Sequence, residues 1–386
     1  MTMDLARSIL HQLSTQAHTL ADLVVTTGAS LPTVRRAIRD LETDGWIHPL
    51  ARSAVTGGRP AKRYALDEAG YLLIGVHLAH PGMRLVATSL TGAIAEEFVP
   101  HDLYDLEPDV VHEQIVGFVQ RLKEMDPKRR LLGIAVATPG YVEPETGTVI
   151  IIGRVPTWSN LPLAHRLQQA TGLPVTVHND MDALATAEFG FAESWKSAVY
   201  VGFGEGLKFS LFLGVAPYTG PFGNAGLVPA TLLAGGGTPG DAELLRVRGF
   251  ITEVDGPDAV RDLREPGALR TRFHELLRDA EHGHVVAAEV TQRMVRVLSA
   301  EVAAFVHLMQ PEHLVMGGFL AGAPTGILQR IEYGVREQLP TLLDNALVVQ
   351  PARIVKPHGT AVGATRGFWR RFLLDSDVRS PLATNA

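Results

Sequence analysis

A chain of 386 residues exceeds what one ordinary core accommodates, so two or three domains are expected. Hydrophobic residues make up 46% and charged residues 20%, and no apolar run approaches the roughly 18 residues of a membrane span, so a globular protein with no membrane partner is expected. The absence of cysteine excludes disulfides, thiol nucleophiles and cysteine-based zinc sites.

The first stretch, "MTMDLARSILHQL", carries Asp4 and Arg7 inside an amphipathic pattern and lacks the features of a signal peptide; a cytoplasmic location is expected. The formal charge of −6 is unevenly spread, with +3 on residues 1–63 and −9 on the remainder. A basic module ahead of an acidic body points to a nucleic-acid contact at the N-terminus.

Three helical patterns fit residues 4–44. Leu5, Ile9, Leu10 and Leu13 mark the first. Thr19 is the expected N-cap of the second, whose apolar face is Leu20, Leu23 and Val24, and Gly28 ends it in a tight turn. The third begins at Ser30, a candidate cap, with Pro32 tolerated in the first turn. Val34, Ala37, Ile38 and Leu41 face inward, leaving Thr33, Arg35, Arg36 and Arg39 on other faces. This is a helix-turn-helix pattern whose third helix would enter a major groove. The following "WIHPLARSAVTGGRPAKRYAL" reads as a hairpin wing, with Arg59 at its tip available to a narrow minor groove. The candidate DNA-binding residues are therefore Ser30, Thr33, Arg35, Arg36, Arg39 and Arg59.

From Tyr71 the texture changes to strands: "YLLIGVHL", "MRLVATSL" and "AIAEEFVP", a helix over about 107–124, then "RLLGIAVATPG". A second round begins near residue 197 with "SAVYVGFGEG" and "LKFSLFLGV". It continues through charged helices, a long amphipathic helix over about 284–309, and "EHLVMGGFLAG". Two similar rounds predict two α/β lobes with a cleft between them. The expected division is a winged helix-turn-helix over 1–70, a first lobe over 71–190, and a second lobe over 191–386 that also dimerises. Between the rounds, "TVHNDMDALATAEFG" places Asn179 and Asp180 where a strand gives way to a helix. Asp180 there reads as a base, a ligand contact or a helix cap, and a cap that also lines a ligand pocket is the expectation.

Several segments together resemble the ROK family (repressor, open reading frame, kinase), in its transcription-factor branch. They are "TGGRPAKRYALDEAGYLLIGV", "GIAVATPGYVEPETGTVI", "NLPLAHRLQQATGLPVTVHNDMDALATAEFG" and "DAEHGHVVAAEVTQRMVRVLSAEVAAFVHLMQPEHLVMGGFLAGA", in that order over some 350 residues. The resemblance implies a two-lobed, actin-like ATPase (ribonuclease H-like) body behind the winged helix. Kinases of the family phosphorylate sugars; its regulators bind operators and respond to sugars or a protein partner. Gly140, Asn179 and Asp180 fall at the family's sugar-approaching positions and are the candidate effector contacts.

The sequence also departs from the kinase pattern. In "VHLAHPGMRL", His77 stands where the kinases carry an aspartate, and Ala79-His80-Pro81 replaces their Gly-Gly-Thr turn. Proline lacks an N–H, and the larger side chains obstruct a backbone approach to phosphate. Glu205, within Gly202–Gly206, would repel phosphate, and Lys208 replaces a small residue; a strand-end turn is the better reading of that loop. In "PFGNAGLVPA", Leu227 and Ala230 replace the family's sugar-binding glutamate and histidine, and Pro229 replaces a glycine. No catalytic residue, metal or cofactor is therefore expected.

The leading expectation is a sequence-specific DNA-binding regulator, a repressor, acting on double-stranded operator DNA. A small-molecule effector, carbohydrate-like or of another class, would bind the cleft. The long helix near 284–309 would pair copies into a homodimer or tetramer. The alternatives are a ligand-independent regulator whose body is a dimerisation or protein-docking platform, and an ATP-dependent sugar kinase.

Overall fold

The computed structural model describes residues 2–50, 62–79, 82–100, 107–152, 155–190, 196–214, 216–228, 239–263, 265, 267–355 and 357–374. Arg59, His80, Pro81, Pro229 and Ala230 lie outside them.

The N-terminal module comprises α1 (Thr2–Leu13), β1 (His18–Thr19), α2 (Leu20–Thr27), α3 (Leu31–Thr43), β2 (Ile47–Pro49) and β3 (Arg63–Leu66). Thr19 caps α2 through a reciprocal box: its hydroxyl accepts from the Asp22 amide, and the Asp22 carboxylate accepts from the Thr19 amide at 2.8 Å. Gly28 ends α2 in the left-handed region at φ 65°, which turns the chain into α3. Strands β2 and β3 pair antiparallel with Ile47 opposite Leu66, and β1 adds to the other edge of β3. A helix-turn-helix backed by a three-stranded sheet is a winged helix.

The first lobe is built on a five-stranded sheet of order β11-β7-β4-β5-β6. Here β4 (Tyr71–Leu78), β5 (Met83–Thr88) and β6 (Ile94–Phe98) form an antiparallel meander. After α4 (Pro108–Met125), β7 (Arg130–Thr138) joins β4 in parallel. A small sheet of β8 (Tyr141–Glu143), β9 (Thr148–Ile152) and β10 (Val155–Leu161) intervenes. Then come α5 (Leu163–Thr171), β11 (Val175–Asn179), parallel to β7, and α6 (Asp180–Phe189).

The second lobe repeats the plan. The strand β12 (Ser197–Phe203) is antiparallel to β13 (Leu207–Leu213) and parallel to β16 (His313–Gly318), which is parallel to β17 (Val348–Pro351). Short strands β14 (Ala216–Pro217) and β15 (Leu227–Val228) flank β13. The helices are α7 (Pro239–Glu243), α8 (Val247–Asp255), α9 (Ala259–Asp262), α10 (Ala268–Glu281), α11 (Val285–Met309), α12 (Thr325–Arg336) and α13 (Thr341–Ala346). Phe250, Phe273, Met294 and Leu298 from three of these helices close over Val199, Val201 and Leu314 of the sheet. The strands are apolar on nearly every residue because both of their faces are covered.

The last helix, α14 (Gly359–Leu374), departs from the expected division, which placed all of 191–386 in the second lobe. It crosses back onto β4, β7 and α6 of the first. Its far end carries Phe368, Trp369 and Phe372, which share one apolar core with Ile9, Leu10, Leu13, Ile38, Leu41 and Trp46 of the winged helix. The Trp46 ring stacks on Tyr71 at 4.1 Å and lies 6.1 Å from Trp369 and 6.0 Å from Phe372. The Trp369 indole donates to the Ser14 hydroxyl at 2.9 Å, and the Tyr71 hydroxyl donates to the Asp44 carbonyl at 2.9 Å. The winged helix is thus seated on the body by buried aromatics and two hydrogen bonds, an arrangement far more specific than a flexible tether.

Candidate functional site: a basic recognition helix and a closed interlobe cleft

Helix α3 separates its residues by burial. Val34, Ile38 and Leu41 are buried, whereas Thr33, Arg35, Arg36 and Arg39 are exposed. Among the described residues, the side chains of Arg35, Arg36 and Arg39 enter no ion pair, although Asp40 and Glu42 lie within a turn of them on the same helix. Ser30 takes the capping position, but its hydroxyl pairs with the Thr33 hydroxyl at 2.7 Å instead of capping the backbone. Two basic residues that the sequence placed with the wing have internal duties. The Lys62 ammonium meets Glu42 at 3.0 Å and lies over the Tyr64 ring, and Arg63 donates to the Ala17 carbonyl at 2.5 Å. Both fasten the base of the wing.

The parallel pairing of β11 with β7 sets Asn179 opposite Thr138, which brings Gly140 alongside. The Asn179 amide donates to the Gly140 carbonyl at 3.1 Å, and its oxygen accepts from the Met181 amide at 3.0 Å. Gly140 has φ 85°, and a side chain there would run into the Ile151 carbonyl, so only glycine fits. Asn179, 3% exposed, is the N-cap of α6. The capping role that the sequence assigned to Asp180 therefore belongs to its neighbour. Asp180 is the first helical residue, half-buried, accepting from the Met181 amide at 2.8 Å.

Burial pushes the Asp180 carboxyl up to about 6; Lys208 and the Met181 amide oppose the shift without cancelling it. A carboxyl whose folded pKa lies above its ordinary 3.8 binds more protons in the folded state than in the unfolded state. Its contribution to stability is then full below about pH 4, declines as pH rises to about 6, and is constant above. Denaturant unfolding of Asp180→Asn across this range is expected to show the variant gaining on the native chain between about pH 4 and 6, with a constant difference at higher pH.

Two residues along α6 lies a group that sequence reading did not single out. Asp182 is 5% exposed, and its carboxylate receives the Lys208 ammonium and the Ser210 hydroxyl, both at 2.7 Å. Lys208 is 2% exposed and stands on β13, so this ion pair joins α6 to the second lobe's sheet. The signal was present as a lysine inside the apolar strand "LKFSLFL". Only the fold supplies its partner, 26 residues away. Leu227, in place of the family's glutamate, lies directly opposite Lys208 in the β13–β15 register. The Asn224 side chain accepts from the Val142 amide at 3.0 Å and donates to the Val142 carbonyl at 2.9 Å, fastening the loop before β15 to β8.

The strand-end loops that would face phosphates bond to one another. The Gly204 amide donates to the Gly206 carbonyl at 2.9 Å, the Phe319 amide to the Phe203 carbonyl at 2.6 Å, and the Val247 amide to the Gly204 carbonyl at 2.8 Å. Glu205 is held by Arg248 at 2.9 Å. Arg270, from α10, donates to the Gly318 and Ala321 carbonyls at 3.0 and 3.3 Å and lies over the Phe319 ring. His77 is driven down to about 4, first by burial and then by Arg84 and Arg270, so it is neutral at pH 7. An anion cradle needs free amides pointing at the ligand; here three backbone donors are already spent on carbonyls, as is the Arg270 guanidinium.

Residues 90–234 match the profile of the ROK family. A transcriptional regulator of Mycobacterium tuberculosis is 28% identical over 312 residues, covering 76% of this chain and 69% of that protein. The N-acetylglucosamine repressor of Escherichia coli is 24% identical over 347 residues, covering 86% and 83%. Among solved structures, a ROK family transcriptional regulator homologous to the E. coli Mlc protein superposes with a TM-score of 0.79, covering 95% of this chain and 96% of its own at 22% identity. A ROK hexokinase from Thermus thermophilus superposes with a TM-score of 0.58 over 76% of this chain and 97% of its own, at 23% identity. Both superpositions concern the fold.

Proposed function

We propose that this chain, whose residues 90–234 match the ROK family profile, is a member of that family and a sequence-specific DNA-binding transcriptional regulator, a repressor, on a sugar-kinase-like scaffold that performs no catalysis. The observation that carries this reading is the exposed basic face of α3, with Arg35, Arg36 and Arg39 outside any ion pair among the described residues. Unneutralised arginines on the exposed face of a helix-turn-helix are suited to phosphates and guanine edges. The names of the relatives, a transcriptional regulator and an N-acetylglucosamine repressor, agree with it.

The absence of catalysis is supported by the chemistry of the cleft. Phosphoryl transfer needs a positioned donor and neutralised phosphate charge, and the glycine loops here close on each other under Arg270. Asn179 retains a role without catalysis, since it caps α6 and pins Gly140. Asp180, half-buried and protonated more readily than an ordinary carboxylate, is left as the polar contact for an effector, with Gly140 and Asn179 framing it. A copy of the body on each half-site, paired through α11 and its neighbours, would match a palindromic operator.

Genome-wide mapping of bound DNA is the test. The expected result is a small set of sites sharing an inverted repeat, lost when α3 is altered. Uniform occupancy without a shared motif, or a coupled ATP assay showing sugar-dependent turnover that Asp180→Asn removes, would overturn the reading.

A further inference from the structure

Helix α3 opens on an apolar tip. Leu31 and Pro32 are its first two residues; Leu31 is 43% exposed, and Pro32 is exposed beside it. A lone exposed leucine is ordinary on a protein surface. Here it belongs to a pair, and the pair stands in line with the arginines. Residues four apart share a helix face, so Leu31 precedes Arg35 and Pro32 precedes Arg36, each by one turn. The first turn of α3 carries no acidic residue, although a carboxylate there would favour the helix. Pro32 has no N–H, and the Ser30 and Thr33 hydroxyls bond to each other at 2.7 Å. The tip is therefore poorly equipped to hold a phosphate, which needs free amides or cations. What it presents outward is hydrocarbon, one turn ahead of positive charge.

We propose that Leu31 and Pro32 read a thymine through its C5-methyl group, as specificity-determining residues alongside Arg35 and Arg36. That role rests on the regulator reading. In a helix-turn-helix the N-terminal residues of the recognition helix reach base edges in the major groove. Thymine alone presents a methyl group there, and apolar side chains are its usual partners. Cytosine in its place turns an amino group towards the tip, and neither side chain can accept its hydrogen bond. A helix turn advances about 5.4 Å and successive base pairs about 3.4 Å. The thymine is thus expected one or two base pairs from the base that Arg35 or Arg36 contacts.

The test starts from a duplex selected by the full chain out of a random-sequence pool. Each thymine of the selected site is replaced in turn by deoxyuracil, which keeps the base pair and removes only the methyl group. Gel-shift titration of the native chain is expected to lose about fourfold in affinity at one or two positions per half-site, the worth of one buried methyl group. At those positions 5-methylcytosine is expected to bind better than cytosine. The double variant Leu31→Ser, Pro32→Ser is expected to bind the thymine and deoxyuracil duplexes alike, with circular dichroism confirming that it folds. A selected site with no methyl-sensitive thymine, no gain from 5-methylcytosine, or a methyl preference that survives in the folded variant would overturn the proposal and leave the regulator reading standing. A pool that yields no shared motif would overturn both.

Discussion

Replacing both Arg35 and Arg36 by alanine is expected to remove operator binding while leaving the fold intact. An arginine reading a base contributes about 1–3 kcal/mol of discrimination. Loss of two therefore costs about 2–6 kcal/mol, at least a thirtyfold drop in affinity by the usual conversion of about 1.4 kcal/mol per decade. Both side chains are exposed and outside any ion pair among the described residues, so little folding energy goes with them. Gel-shift titration on the mapped operator measures the loss, and circular dichroism checks the helix. The salt dependence carries separate information: each phosphate contact removed should flatten the slope of log affinity against log salt by about 1. A double variant that shifts operator DNA at native concentrations would rule out α3 as the recognition helix.

The second large effect is expected at Lys208. Removing one member of a buried ion pair leaves the other charge unsolvated, at a cost of about 3–5 kcal/mol. Lys208→Met strands the Asp182 carboxylate with only the Ser210 hydroxyl, both in a region closed to solvent. Denaturant unfolding should show this loss, whereas the double variant Asp182→Leu, Lys208→Met should recover more than half of it, because a buried pair exchanged for apolar groups is often neutral. If the single and double variants are equally unstable, the pair is not what holds α6 to β13. The same result bears on the cleft. A resident lysine, already neutralised by Asp182, does not act as a free cation for an incoming phosphate.

The comparison between sequence and structure turns on the range of the forces involved. The α2 cap at Thr19, the turn at Gly28 and the apolar face of α3 follow from contacts within a few residues, and each was legible in the chain. The strands were legible too, since "YLLIGVHL" and "SAVYVGFGEG" are apolar enough to mark buried sheet centres. The loss of the kinase pattern could be read from His77 and Leu227 alone, because phosphate and sugar binding need particular donors at particular places.

Other features depend on partners distant in the chain. Sequence placed the α6 cap at Asp180, one residue late, because the cap is decided by backbone angles and by the Gly140 carbonyl 39 residues from Asn179. It could not pair Lys208 with Asp182, or send α14 back from the second lobe to the winged helix. A periodic apolar pattern states that a helix buries one face but not against what, and an isolated charge in a strand states that a partner is needed but not where. Local propensity therefore determined the elements and the basic recognition face. Only tertiary packing, by bringing distant strand ends and rings together, paired Lys208 with Asp182 and gave the N-terminal module a core shared with the body.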